Sequence, residues 1–314
     1  MPTIQSKYDG ASLFYRQYVP QSSAPSFRYM DGDAAKHHTY PTLVFSAAWP
    51  FSGAMYDHLI PTLTESYRYS CIVPDRRGFG QSEWSGPAGS EQYCIDYGTF
   101  AQDLRQIIQC TCQRAGRTNA TFVAVGTSMG CGEIIEMLSN DDTGEVTSVC
   151  KGIVLICSSL PIPIWTERKP TGPLRAFWDS LLDHLREDAD EGLASTLPVI
   201  FGPAYNSISP HVKARYERML AQADRVAVER AVQIYLDRDF TTTLEAFGRR
   251  NKIPIMILHG TEDRANPVDV SPRLVQELLP GSLVKVYHGA GHGLYQTHKE
   301  KCLEDILEFL SKLS

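Results

Sequence analysis

At 314 residues, with 43% hydrophobic and 21% charged side chains, the chain is long enough to bury one large core with room for an inserted subdomain. A formal charge of −6 at pH 7, with no run of lysine or arginine, argues against a nucleic-acid partner and against docking on a membrane or phosphate surface. Residues Met1 to Lys7 lack the apolar stretch of a signal peptide and no apolar run reaches transmembrane length, so a cytoplasmic protein is expected.

Strands and helices alternate along the sequence. Ser12 to Tyr18 reads as an early strand, followed by a polar insert from Pro20 to Pro41 that carries His37 and His38 side by side. With no third ligand at a matching spacing, that pair is read as part of a polar loop and not as a metal site. Leu43 to Ala47 and Tyr69 to Val73 are the next strands, flanking a helix from about Ala54 to Ser66. Tyr97 to Arg114 has helical spacing at Phe100, Leu104, Ile107 and Ile108. Thr121 to Val125 is an apolar strand, Gly130 to Ser139 a helix and Lys151 to Cys157 a further strand. Between Leu160 and Phe247 the pattern changes: prolines punctuate helical stretches such as Leu174 to Arg186 and Ala214 to Leu236. Two apolar strands, Ile253 to Leu258 and Ser282 to Tyr287, then precede a last helix from Lys299 to Leu313. This βαβ alternation predicts an α/β protein with a doubly wound, mostly parallel sheet. Residues 1–159 and 248–314 make its core, and the all-helical segment 160–247 is inserted between strands six and seven.

The eight cysteines are scattered through apolar elements and read as reduced thiols of an intracellular protein. Cys110 and Cys112, two apart on a predicted helix, face different ways and make no metal pair. Without secretion, the sequon at Asn119 stays bare. Ser311 to Leu313 is followed by Ser314 and is read as a solvated helix end, not a targeting address.

Chemistry concentrates at three places. Gly126-Thr127-Ser128-Met129-Gly130 lies between an apolar strand and a helix, the context of a nucleophile elbow: a serine on a sharp turn, with small residues two positions away on either side. A nucleophilic serine needs a base, and the base needs an orienting carboxylate. Asp263 follows the strand ending at Leu258, and His292, flanked by Gly291 and Gly293, follows the strand ending at Tyr287. Serine, acid and histidine thus fall in that order on loops at the carboxyl ends of strands, where open α/β sheets form their sites. Glu262 is the rival for the acid. His259, at a strand end, and His298, at a helix start, are read as structural.

These motifs sit in a wider resemblance covering roughly three quarters of the chain. Asp9-Gly10 before Leu13 to Tyr15, Trp49-Pro50, the run from Pro74 through Asp75-Arg76-Arg77-Gly78 to Ser82, Ser128 through Glu133, and Gly291 to Leu294 are its main carriers. The chain resembles the α/β-hydrolase superfamily and, within it, the cofactor-free haloperoxidase (perhydrolase) and esterase group. The resemblance implies an oxyanion hole from the backbone N–H groups of Met129 and Trp49. It also implies that the insert over 160–247 is a cap roofing the site, and that Asp75 to Gly78 ties down the loop beneath the oxyanion segment. One departure is clear: the loop usually reads His-Gly-Trp in this group, and here it reads Ala47-Ala48-Trp49, with the conformational freedom of that glycine lost.

The expected function is a serine hydrolase of a small ester or lactone, with Ser128 as nucleophile, His292 as base and Asp263 as orienting acid. Perhydrolysis is a side activity open to it, and no cofactor or metal is called for. Serine at position 128 sets aside dehalogenases and epoxide hydrolases, which use aspartate. Two alternatives stay open: a non-hydrolytic ligand-binding receptor on the same fold, and a carbon–carbon bond hydrolase. The partner is a small molecule, with neither nucleic acid nor membrane, and assembly into a homo-oligomer is compatible with the sequence.

Overall fold

The computed structural model describes residues 2–21, 40–87, 94–113 and 121–313, with the side chains of 112 and 113 excepted. The His37-His38 pair, the Asn119 sequon and the Cys112 side chain lie outside the described residues.

Among the described residues eight strands form one sheet: β1 (Thr3–Gln5), β2 (Ser12–Tyr18), β3 (Thr42–Ser46), β4 (Cys71–Pro74), β5 (Phe122–Thr127), β6 (Cys150–Ile156), β7 (Ile255–Gly260) and β8 (Leu283–Tyr287). Their order is β1-β2-β4-β3-β5-β6-β7-β8, antiparallel at β1–β2–β4 and parallel from β4 onward. Strands β3, β4, β5 and β7 are buried at every residue, because helices cover both faces; hence they read as continuous apolar runs. The edge strand β8 is largely uncovered.

The described residues form ten α-helices, in chain order α1 (Tyr97–Ile108), α2 (Met129–Ser139), α3 (Arg175–Glu187), α4 (Ala189–Phe201), α5 (Pro210–Ala221), α6 (Arg225–Asp237), α7 (Thr241–Arg250), α8 (Ser271–Leu278), α9 (Leu294–Thr297) and α10 (Lys299–Ser311). Helices α3 to α7 lie between β6 and β7, the position expected of the insert. Asp96 opens α1 with a capping box to Thr99, and the predicted stripe Phe100, Leu104, Ile107 and Ile108 is buried.

Three predicted helices differ in detail. The stretch expected to be one helix from Ala54 to Ser66 forms a 3₁₀ turn at Gly53–Tyr56 and a wide turn at Thr62–Ser66; Pro61 between them has no N–H to donate. The α1 pattern changes to a wide turn at Gln109–Gln113, where Thr111 Oγ1 donates to the carbonyls of Ile107 and Ile108, a side-chain competitor for helix acceptors. The stretch Ala214 to Leu236 is two helices, since the Asp224 carboxylate accepts from the Ala227 N–H and starts α6 afresh. The short edge strand β1 and the helices α4, α7, α8 and α9 are not among the elements the sequence predicts.

No helix among the described residues is long and apolar enough to cross a membrane. The seven cysteines described are free thiols.

Candidate active site

Ser128 stands between β5 and α2 with φ 54° and ψ −118°. A non-glycine residue with positive φ is strained, and only the surrounding packing holds it there. Its N–H donates to the Ile156 carbonyl on the neighbouring strand (2.9 Å), and its own carbonyl accepts from the Cys131 N–H (3.0 Å). The glycines on either side are required by close approach. A Cβ on Gly130 would lie 2.4 Å from the Ser46 carbonyl oxygen, and one on Gly126 2.8 Å from Ile134 and 2.9 Å from the Gly130 carbonyl. The elbow is therefore clamped between β3 and α2.

Asp263 and His292 come together at the same sheet edge. Asp263 Oδ2 accepts from His292 Nδ1 at 2.8 Å, both groups buried. The other carboxylate oxygen accepts from the N–H groups of Asn266 (2.8 Å) and Ala265 (3.0 Å). Burial pushes the Asp263 carboxyl up, but the charge and hydrogen bond of His292, with His259 and the Asn266 N–H, outweigh it and hold the group below the usual carboxylate range. Glu262, the rival acid, is exposed. His259 is fully buried, its Nε2 2.6 Å from the Asn266 carbonyl and 3.4 Å from Asp263 Oδ2. Burial pushes its pKa down, so it supports the acid loop as a neutral ring. The glycines around His292 admit the end of α4. A Cβ on Gly293 would lie 2.4 Å from the Phe201 ring, and one on Gly291 3.0 Å from the Gly202 nitrogen.

Met129 opens α2 directly after Ser128, and Trp49 lies on the loop that follows β3. Neither backbone N–H donates to another protein atom among the described residues. Ala47 and Ala48 are both buried in the core. The loop is secured from below: Arg76 donates to the Ala47 carbonyl and to Glu133 of α2, and Ser46 Oγ donates to the other Glu133 oxygen at 2.5 Å. A cavity of about 20 Å³ beside these groups, the size of one water molecule, is lined by Ser46, Ala47, Arg76 and Glu133 among others. Ser128 is not among its lining residues. Of the aromatic residues of the insert, Trp178, Phe201 and Tyr235 are buried whereas Trp165 and Phe177 are exposed. The Trp49 indole donates from Nε1 to the Val228 carbonyl of α6 (3.0 Å) and meets Trp178 of α3 edge-on, ring centres 6.2 Å apart.

Sequence reasoning missed four polar residues around Ser128, Asp263 and His292. The Cys157 thiol lies within 4.8 Å of Asp263 and His292. Burial pushes its pKa well up, leaving a neutral packing group there. Lys169 and Asn266 are fully buried and hydrogen-bonded to each other, and Ser159 Oγ donates to the Ser128 carbonyl. No spacing or motif marks any of these; only the fold brings them to these three residues.

A model of the α/β-hydrolase fold family matches residues 41–299. A non-heme chloroperoxidase of Kitasatospora aureofaciens is 30% identical over 278 residues, 86% of this chain and 92% of that protein. A bifunctional esterase/perhydrolase of Acinetobacter calcoaceticus is 25% identical over 96% of this chain and 97% of its own. Among solved structures, a bromoperoxidase from Bacillus anthracis superposes with a TM-score of 0.78 at 24% identity, covering 99% of each chain. An enol-lactonase from Burkholderia xenovorans does so with 0.75 at 17% identity, over 99% of this chain and 100% of that one.

Proposed function

The chain belongs to the α/β-hydrolase family, and within it we propose a serine hydrolase that cleaves an ester or lactone of a small organic molecule through an acyl-enzyme on Ser128. The observation that carries this reading is the 2.8 Å bond between Asp263 and His292 at the sheet edge that also presents Ser128 on its strained turn.

In this mechanism Asp263 holds the Nδ1 proton of His292, leaving Nε2 free to take the Ser128 hydroxyl proton as Oγ attacks the carbonyl carbon. The developing oxyanion is met by the N–H groups of Met129 and Trp49, at about 3–4 kcal/mol for each donor. His292 then passes its proton to the departing alkoxide, and the acyl group stays on Ser128. Water, deprotonated by His292, attacks the acyl carbon and regenerates the serine. Hydrogen peroxide in place of water gives a peracid, the perhydrolase side reaction. The insert over 160–247 serves as the cap: Trp178 and Tyr235 roof the site and exclude water.

Turnover of short p-nitrophenyl esters, with fluorophosphonate labelling, tests the proposal. Wild type should label once, and Ser128→Ala should not label and should lose on the order of 10⁴-fold or more in turnover. Near-wild-type activity in Ser128→Ala removes the assignment. Ligand binding without turnover in wild type favours the receptor reading instead.

A further inference from the structure

The turn Gly53–Tyr56, a few residues beyond Trp49, sends two fully buried side chains back to the backbone around the proposed oxyanion hole. The turn is itself pinned to β4. The Gly53 N–H donates to Asp75 Oδ1 (2.9 Å), and a Cβ on Gly53 would lie 2.6 Å from the Pro74 carbonyl oxygen. Met55 and Tyr56 therefore project from a fixed base, and neither has a part in the hydrolytic steps above.

Met55 acts on the loop. Its Sδ accepts from the Ala48 N–H at 3.2 Å; a thioether is a weak acceptor, but a directional one. The Ala48 carbonyl accepts from the Phe51 N–H at 2.9 Å. That carbonyl and the Trp49 N–H belong to one trans peptide unit, in which oxygen and hydrogen point opposite ways. With the oxygen turned to Phe51, the Trp49 N–H faces away from it, and among the described residues that N–H has no acceptor. The two bonds hold the peptides on both sides of the Ala48 Cα, so the loop keeps one conformation where the usual glycine is missing.

Tyr56 acts on the elbow. Its ring packs on Phe45, centres 4.8 Å apart, and its hydroxyl donates to the Ser46 carbonyl at 2.8 Å. The single phenolic hydrogen is used there, so the 2.7 Å bond to Thr127 is donated by the threonine Oγ1. Tyr56 thus ties the last residue of β3, which leads to Trp49, to the residue before Ser128, which leads to Met129. We propose that Met55 and Tyr56 are positioning residues for the two oxyanion donors: Met55 holds the peptide before Trp49, and Tyr56 holds the end of β3 to the elbow. This role rests on the serine-hydrolase reading of the site and on Trp49 as a donor.

A trifluoromethyl ketone reads the oxyanion hole directly. Ser128 Oγ bonds to its carbonyl carbon, the π pair moves to the oxygen and the serine proton goes to His292, so the adduct presents an oxyanion to the two N–H groups. Met55→Leu keeps the volume and loses the acceptor. It should lower kcat on p-nitrophenyl acetate about fivefold with KM within about twofold, and raise the ketone inhibition constant as far as kcat/KM falls. Tyr56→Phe should do the same at about tenfold. In a Trp49→Pro background Met55→Leu should cost less than about a further twofold, because the N–H it serves is gone. A variant of either residue that labels fully with fluorophosphonate and keeps wild-type kcat and ketone affinity overturns the proposal. So does a loss confined to KM, or an undiminished loss from Met55→Leu on top of Trp49→Pro. Should Tyr56→Phe not fold, Met55→Leu decides alone. A wild type that neither labels nor hydrolyses the ester overturns the serine-hydrolase reading itself.

Discussion

Asp263 lies between two histidines, and its carboxylate distinguishes them by distance. His292 Nδ1 is 2.8 Å from Oδ2, whereas His259 Nε2 is 3.4 Å away and engaged at 2.6 Å with the Asn266 carbonyl. Asp263→Asn should preserve the shape but hold His292 in the wrong tautomer, lowering ester turnover by about 10³- to 10⁴-fold. Glu262→Gln, on an exposed side chain, should cost less than about tenfold on the same assay; the reverse order would exchange the two roles. Lys169 supports a second prediction. Burial lowers its pKa to about 8 against the opposing pull of Asp263, and His259 faces the same cluster. The unfolded chain, with an ordinary lysine near 10.5, binds the proton more tightly, so between pH 8 and 10.5 stability rises with pH. Over that window wild type should gain up to about 3 kcal/mol relative to Lys169→Met in urea unfolding; parallel curves would show that the lysine is not held this way. The members of the proposed triad could be named from the sequence because each has a local signature: the glycine-framed serine, the acid after a strand and the glycine-flanked histidine. Lys169, Asn266 and Tyr235 have none. Their meaning lies in contacts 97 residues apart in the case of Lys169 and Asn266, and no periodicity carries such a contact.

At the scale of elements, the loop after β3 is where backbone and side chain have separate jobs. The Trp49 N–H is the proposed oxyanion donor, while its indole binds the Val228 carbonyl and packs on Trp178. Trp49→Pro removes the N–H and should lower turnover by about 10²- to 10³-fold. Trp49→Ala keeps the N–H and loses the link to α3 and α6, so its damage should fall on KM and acyl preference more than on kcat. Equal loss of kcat in the two variants would mean that the N–H is not the donor. The loss of the usual His-Gly before this tryptophan left the loop geometry open in the sequence. In the structure Arg76, bonded to the Ala47 carbonyl, provides a brace that does not depend on a glycine. Buried parallel strands such as β3, β5 and β7 were readable because each is an uninterrupted apolar run. The boundaries of the helices were less so, because they turn on single caps and prolines: Pro61 breaks one predicted helix and Asp224 divides another. The edge strand β1 is three residues long and barely covered, too short for any period to register.

Across the whole molecule, the segment Asp75 to Gly78 after β4 joins parts that lie far apart in the chain. Asp75 accepts from the N–H groups of Gly53 and Gln81, Arg76 braces the β3 loop against α2, and the Gly78 carbonyl accepts from the Asp224 N–H at the start of α6. Arg77 is the deepest link. Fully buried, it bonds Asp9 between β1 and β2 and Asp103 on α1, each at 2.8 Å. Its sequence signal was only that of a structural marker; the two partners, 68 and 26 residues away, emerge only from the fold. Arg77→Met leaves two buried carboxylates without their cation, a loss on the order of 3–5 kcal/mol that should lower the thermal midpoint by roughly 5–10 °C. Asp9 retains the N–H groups of Ala11 and Gly86, whereas Asp103 keeps, among the described residues, only the Ser6 hydroxyl at 2.6 Å. Burial already pushes the Asp103 carboxyl up, and Arg77 is what holds it down. Without the arginine its folded-state pKa should rise further above the unfolded value. Proton binding then favours the folded variant at low pH, and that contribution is lost as pH climbs through the raised pKa. The deficit of Arg77→Met relative to wild type should therefore be larger at pH 8 than at pH 5, and Asp103→Asn in the same background should flatten the difference. A deficit that is small and the same at both pH values would show that the N-terminal strands and α1 are held to the sheet by apolar packing alone.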